Sequence, residues 1–120
     1  MPDNSISFYR GDTARLHFHR EDQDGGVIME RAQHIFFTVK KKGFEEKAGF
    51  VLQKKDNDFS FDENGEYHFT INATDTDKME SSQQYTYDIE VINNGVKTTI
   101  ASGALYLKTE VTTTADEGGE

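Results

Sequence analysis

The sequence predicts an all-β fold: two antiparallel sheets packed as a sandwich, built from seven to eight short strands with one short helical turn. Three observations predict it. Apolar and polar residues alternate with period two in at least six runs, the pattern of strands with one face buried. Clusters of Gly, Asn and Asp separate those runs. Nine Phe and five Tyr in 120 residues supply bulky residues for a core, and each removes about 150–250 Å² from water when buried.

Ser5–Arg10 opens the series, with Ile6 and Phe8 alternating against serines. Leu16 and Phe18 share one face of the next run, and His17 and His19 share the other. Glu21 to Gly26 is a turn sequence. In Gln33–Lys40, Ile35, Phe37 and Val39 point inward. Lys42 to Gly49 is polar and glycine-flanked, and reads as a loop or a single helical turn. Asp62-Glu63-Asn64-Gly65 is a turn ahead of the strand Tyr67–Ile71.

Asn72 to Met79 is rich in Thr and Asp, which cap short helices and turns. One helical turn is expected there, crossing between the sheets. Tyr85–Val91 is the most regular run. Tyr85, Tyr87, Ile89 and Val91 share a face, and this strand is expected to be central. Asn93-Asn94-Gly95 is a hairpin turn, because Asn and Gly both tolerate positive φ. Ser102-Gly103 is expected to break the next pair. Leu105–Lys108 alternates again, with Val111 continuing its apolar set. The domain is expected to span residues 1–112, with residues 113–120 a flexible acidic tail.

Composition excludes several classes of function. The chain has no Cys, which removes disulfides, thiol catalysis, zinc-thiolate sites and iron–sulfur ligation. Net charge is −9, so phosphate-rich partners are repelled. Lys40-Lys41-Lys42 is too short a basic stretch to reverse that. Neither nucleic acid nor a membrane is expected as a partner. No run approaches the 18 apolar residues of a membrane span, and Met1–Ser5 lacks the features of a signal peptide. The protein is expected to stay in the cytoplasm or to be assembled there into something larger.

Several motifs invite chemistry and are weighed against plainer roles. Arg10-Gly11-Asp12 is the tripeptide of integrin ligands, but without an export signal it reads as a tight turn. His17 and His19 lie two apart on one strand face and would need a further ligand, such as His34 or His68, to hold a transition metal. A solvent-facing pair is the expected role. Glu21, Asp22 and Asp24, and then Asp56, Asp58, Asp62 and Glu63, are the acidic loops where calcium would sit. The spacing fails, because Arg31 and Ile71 stand where the bidentate Glu belongs. Asn72-Ala73-Thr74 matches a glycosylation acceptor and is expected to be idle. No nucleophile elbow, phosphate-binding loop, dinucleotide fingerprint or zinc-protease motif is present. Catalytic residues, a metal and a cofactor are therefore not expected. Tyr9, Phe36, Phe44, Phe50 and Tyr106 fall outside the alternating core positions, and are the expected contacts with another protein.

The order of these pieces resembles a known family. Arg10-Gly11-Asp12-Thr13 leads into an alternating strand and an acidic, Gly-rich turn, followed by Ile35-Phe36-Phe37-Thr38-Val39-Lys40. Then come Gly65-Glu66-Tyr67-His68-Phe69, Asp75-Thr76, Tyr85-Thr86-Tyr87-Asp88-Ile89-Glu90, Asn94-Gly95 and Gly103-Ala104-Leu105. From about Ile6 to Thr112 this is similar to the N-terminal domain of upper-baseplate proteins from tailed phages of Gram-positive bacteria, and to related small prophage structural proteins. The resemblance implies an immunoglobulin-like β-sandwich that docks onto other virion proteins and catalyses nothing. It would be made in the bacterial cytoplasm and reside in the phage tail. Those baseplate proteins are longer, so a receptor-binding role does not carry over.

The alternative is a carbohydrate-binding module, in which exposed tyrosines stack on sugars. Open edges favour the docking role. Lys40-Lys41-Lys42 would guard one strand, while Ser5–Arg10 and Ala104–Thr112 carry no such guard. The protein is expected to pair with itself or with a second virion protein through these terminal strands.

Overall fold

A computed structural model describes residues 5–45 and 49–109. Val111, the boundary at residue 112 and the tail 113–120 lie outside the described residues, as does part of the Lys42–Gly49 segment. Among the described residues there are eight strands: β1 (Ile6–Tyr9), β2 (Ala14–His19), β3 (His34–Lys41), β4 (Leu52–Lys55), β5 (Ser60–Phe61), β6 (Glu66–Ile71), β7 (Tyr85–Asn93) and β8 (Val96–Lys108). They form a five-stranded sheet, β1-β8-β7-β3-β4, facing a three-stranded sheet, β2-β6-β5. Among the described residues this is the layout of a variable-type immunoglobulin sandwich whose smaller sheet has three strands.

Strand β7 is central, as its sequence predicts, and its inward row is Tyr85, Tyr87, Ile89 and Val91. Ile35, Phe37 and Val39 of β3 continue the same layer, and Tyr67, Phe69 and Ile71 of β6 face it from the other sheet. Phe37 meets Phe69 across the gap with ring centroids 4.8 Å apart. Phe18 stacks on Tyr67 at 5.0 Å. Phe37, Phe59, Tyr67, Phe69, Tyr85 and Tyr87 are all buried, each contributing about 1.5–3 kcal/mol. Together they exceed the roughly 2–4 kcal/mol that a disulfide brings, so a sandwich without Cys is physically reasonable.

Two buried hydroxyls pin loops to this core. Tyr67 Oη accepts the Ala32 backbone N–H at 2.7 Å, just before β3 begins. Tyr85 Oη accepts the Glu80 N–H at 2.8 Å, five residues upstream. The second contact closes the corner where the chain enters β7, as the tyrosine corner of immunoglobulin domains does.

The expected helical turn is present as a 3₁₀ turn at Ala73–Thr76, and it carries the chain from one sheet to the other. The β7–β8 hairpin turns on Asn94 and Gly95, with φ of 51° and 80°. A second 3₁₀ turn at Asp56–Asp58 and the short strands β4 and β5 lack any alternation that would reveal them.

Three expectations are corrected by the pairing. Ser102-Gly103 does not break a strand: β8 runs unbroken through it, with Gly103 opposite Tyr87 and Ser102 opposite Asp88. Ladder pairing with β7 on that side outweighs the local turn preference. The sheets are not wholly antiparallel, because β1 runs parallel to β8, with Ile6 beside Leu105 and Tyr9 beside Lys108. The terminal strands therefore cover each other over Ile6–Tyr9 and Leu105–Lys108, and the outer edge of β1 stays open among the described residues. Finally, Lys40 and Lys41 sit on β3, an interior strand. The guard on the β4 edge is Lys54, whose largely buried amine pairs with Asp75 at 2.7 Å. An inward charge of this kind disfavours further strand pairing.

Candidate functional site

Strand register decides where the exposed aromatic rings lie. Lys41, Tyr85, Leu105 and Ile6 form one row across the five-stranded sheet. Tyr106 and Tyr9 lie beyond that row on the last turns of β8 and β1. Phe44 and Phe50 lie beyond it in the β3–β4 connection, where the Phe44 N–H donates to the Lys41 carbonyl. All four share the end of the sheet opposite the Asn94-Gly95 hairpin. Their exposures are 47% for Tyr9, 55% for Phe44, 54% for Phe50 and 48% for Tyr106. Tyr9 and Tyr106 project from the outer face, since Leu105 and Leu107 point inward. The Lys108 amine lies 5.2 Å from the Tyr9 ring centroid. Phe36 is separate from this group. It is half-buried near the opposite end of the sheet, between Glu90 and Lys55.

The Arg10-Gly11-Asp12 motif is a structural lock at the same end. Arg10 Nε donates to the Met79 carbonyl at 2.7 Å, and its guanidinium also reaches the Asp77 carbonyl at 2.9 Å. The Gly11 N–H donates to Thr76 Oγ1, and that buried hydroxyl donates to the Ala73 carbonyl. The β1–β2 turn is thereby fastened to the 3₁₀ crossover, and the arginine is committed to backbone carbonyls.

The histidines of β2 face outward with His68 of β6. His17 and His68 are direct cross-strand partners, with ring centroids 5.9 Å apart. Each ring nitrogen with a close partner meets a carboxylate. His17 Nδ1 pairs with Glu66 at 2.8 Å, and His68 Nε2 with Asp62 at 2.8 Å. His19 uses both nitrogens, Nε2 on Glu21 at 2.7 Å and Nδ1 on Glu66 at 2.8 Å. That geometry requires both N–H groups, so it selects the imidazolium. Glu21 and then Glu66 hold the His19 pKa above its ordinary value. The Glu66 carboxyl is held below its ordinary range, first by His17 and also by His19. His34 is apart from this group, next to Asp56. Among the described residues no set of three or more His, Asp and Glu is arranged to hold a metal ion.

The acidic loops use their carboxylates to cap turns. Asp22 Oδ1 accepts the N–H groups of Asp24 and Gly26. Asp62 Oδ1 accepts those of Asn64 and Glu66. Asp56 accepts the Ile35 N–H at 3.0 Å, the main reason why its carboxyl stays below its ordinary value. Asp58 accepts the Lys55 N–H. These oxygens serve the backbone rather than a shared cation.

A feature with no signal in the sequence is a cleft of about 910 Å³ on the side of the sandwich. It lies between β2 and the first half of β8, with Phe18, Val91 and Ile100 among its lining residues. Only strand pairing brings those residues together. A bulge helps to shape it: the register with β7 shifts between Ile89 and Glu90, leaving Ile100 as an extra residue in β8.

No family model matches the sequence, and no curated protein matches it. Solved structures do match. The crystal structure of the swine CD8αα homodimer superposes with a TM-score of 0.52, covering 89% of this chain and 95% of that chain at 12% identity. At that identity the likeness shows the fold alone, and the fold is an immunoglobulin-like β-sandwich.

Proposed function

We propose that this chain is a non-enzymatic structural protein of a phage or prophage particle, a tail or baseplate docking module acting through protein–protein contacts. It would be made in the bacterial cytoplasm and work in the virion. The observation that carries the reading is the pair of exposed rings Tyr9 and Tyr106 on neighbouring strands at the open edge of β1, with Phe44 and Phe50 exposed at the same end of the larger sheet but across it, in the β3–β4 connection. Exposed aromatics that cluster are typical of surfaces covered by a partner. An open strand edge offers the same partner main-chain hydrogen bonds. The virion context is our inference from the order of sequence pieces, which resembles that of upper-baseplate proteins. The non-enzymatic part is supported by the histidines, which are engaged by carboxylates and not by hydroxyl nucleophiles.

Mass spectrometry of purified tail particles from the source genome tests the proposal. The chain is expected at fixed stoichiometry, and Tyr9→Ser with Tyr106→Ser is expected to reduce its incorporation while the isolated domain stays folded. Absence from the particles, together with a glycan that binds the wild type and not the double variant, would replace this reading with a carbohydrate-binding module.

A further inference from the structure

Four polar side chains form a two-by-two block on the outer face of the smaller sheet. His17 and His19 point outward from β2, and directly across on β6 stand His68 and Glu66. The three imidazoles differ in what remains free on their nitrogens. Carboxylates are ionised at neutral pH and only accept hydrogen bonds. The ring nitrogen that faces one therefore carries the proton. Glu66 faces Nδ1 of His17, and Asp62 faces Nε2 of His68. In the neutral rings this leaves a lone pair on His17 Nε2 and another on His68 Nδ1. Neither atom has a hydrogen-bond partner among the described residues. His19 has no lone pair to offer, because both of its nitrogens face carboxylates. His34 lies on the other sheet beside Asp56.

A carboxylate behind one ring nitrogen is the arrangement that readies the other nitrogen for a metal. It fixes the tautomer, orients the ring and makes the free nitrogen more basic. Both carboxylates are themselves held. Asp62 Oδ1 accepts the N–H groups of Asn64 and Glu66, and the second oxygen of Glu66 is taken by His19.

Spacing and charge agree with this chemistry. With metal–nitrogen bonds of about 2.0–2.1 Å, an imidazole centroid lies roughly 3.2 Å from the ion. One ion then spans two rings whose centroids are from about 5.2 Å apart, in tetrahedral geometry, to about 6.4 Å, for opposed ligands. The His17 and His68 centroids are 5.9 Å apart. Their side chains are 68% and 46% exposed, so a hydrated ion reaches both. Glu66 and Asp62 beside the rings and Glu21 beyond His19 favour a cation. Arg15, two residues before His17 on the same face, opposes it, within a chain of net charge −9.

We propose that His17 and His68 form a two-imidazole site for a divalent first-row transition metal, with water completing the shell and Glu66 and Asp62 orienting the rings. Imidazole suits copper, nickel and zinc, and affinity along this series is greatest for Cu(II). The site stands apart from the virion reading. It lies on the smaller sheet, away from the exposed aromatic rings, and purified protein alone tests it.

The test titrates the untagged full chain with CuCl2 in a buffer that does not bind copper, read by calorimetry and electron paramagnetic resonance. The wild type is expected to bind one Cu2+ with micromolar affinity and to show coupling to two imidazole nitrogens. His17→Gln and His68→Gln are each expected to remove one nitrogen from the spectrum, and His19→Gln to leave it unchanged. Glu66→Gln, which alters a positioning residue, should weaken binding by about tenfold and keep the two-nitrogen spectrum. Near-ultraviolet circular dichroism of each variant should match the wild type, since these side chains lie on the outer face. In the wild type, substoichiometric Cu2+ should broaden the amide resonances of His17 and His68 first. Broadening confined to other residues overturns the proposal, as does a double variant, His17→Gln with His68→Gln, that binds copper as tightly as the wild type. Wild-type binding too weak to detect at about 1 mM overturns it as well, leaving an adventitious ion only.

Discussion

Replacing Tyr67 by Phe removes one oxygen from the centre of the molecule and little else. Tyr67 is 0% exposed and its ring stacks on Phe18. The Phe ring fills the same volume, so no cavity term arises. What changes is the partner. The Ala32 N–H donates to Tyr67 Oη at 2.7 Å, and both residues are buried. In the variant that N–H is left without an acceptor and shielded from water. A lost bond of this kind costs about 1–3 kcal/mol. For a domain of this size that corresponds to a drop in Tm of roughly 4–14 °C.

Urea denaturation read by near-ultraviolet circular dichroism measures the change, with an unchanged m-value expected because the fold is kept. Amide hydrogen exchange adds a local readout, since the Ala32 amide should exchange faster relative to its neighbours. Tyr106→Phe is the control: its ring is 48% exposed, and its stability should stay within about 0.5 kcal/mol of wild type. A Tyr67→Phe variant as stable as Tyr106→Phe, with Ala32 still protected, would refute the reasoning and show that the loop before β3 is held by something other than this bond.

Four further outcomes are expected. Ile89→Ala, on the buried row of the central strand, should cost about 2–5 kcal/mol in a denaturant melt, whereas Thr86→Ala, which loses an exposed hydrogen bond to Glu45, should cost under about 1 kcal/mol. Gly65→Ala should destabilise more than Gly95→Ala: both positions have φ of +80°, but a Cβ at Gly65 would meet Val27 Cγ1 at 2.6 Å while Gly95 faces open space. Arg10→Ala should lower Tm by releasing the bonds to Asp77 and Met79, whereas Asp12→Ala, with an exposed side chain, should change it little. Stability against pH should be highest between 4.5 and 6.5, the ordinary values of Glu66 and His19. The contribution of His19, whose pKa is raised, is complete below 6.5 and is lost as pH rises through the raised value. Those of Glu66 and Asp62, whose pKa values are lowered, are lost as pH falls through the lowered values. Glu66→Gln should flatten both flanks in a pH series of thermal melts, by a modest amount because these groups are exposed.

The sequence by itself determined which side chains point inward along β2, β3, β6, β7 and the end of β8. It also placed the hairpin at Asn94-Gly95 and the helical crossover after Ile71. These are local properties: the pleat of a strand imposes period two, and a positive φ demands Asn or Gly. Tertiary structure decided the rest, because pairing joins residues that the sequence keeps far apart. Ile6 meets Leu105 in a parallel pair, which covers the last four residues of β8 and leaves the rest of that edge without a ladder partner among the described residues. Strand pairing carries β8 straight through Ser102-Gly103, and it puts Lys40 and Lys41 in the interior of a sheet. It also sorts the aromatic rings, gathering Tyr9, Phe44, Phe50 and Tyr106 at one end and leaving Phe36 at the other. The acidic loops show the same limit: a carboxylate reads identically in sequence whether it waits for a cation or accepts a backbone N–H, and only the folded turns at Asp22 and Asp62, and the packing of Asp56 against β3, bring that N–H within reach.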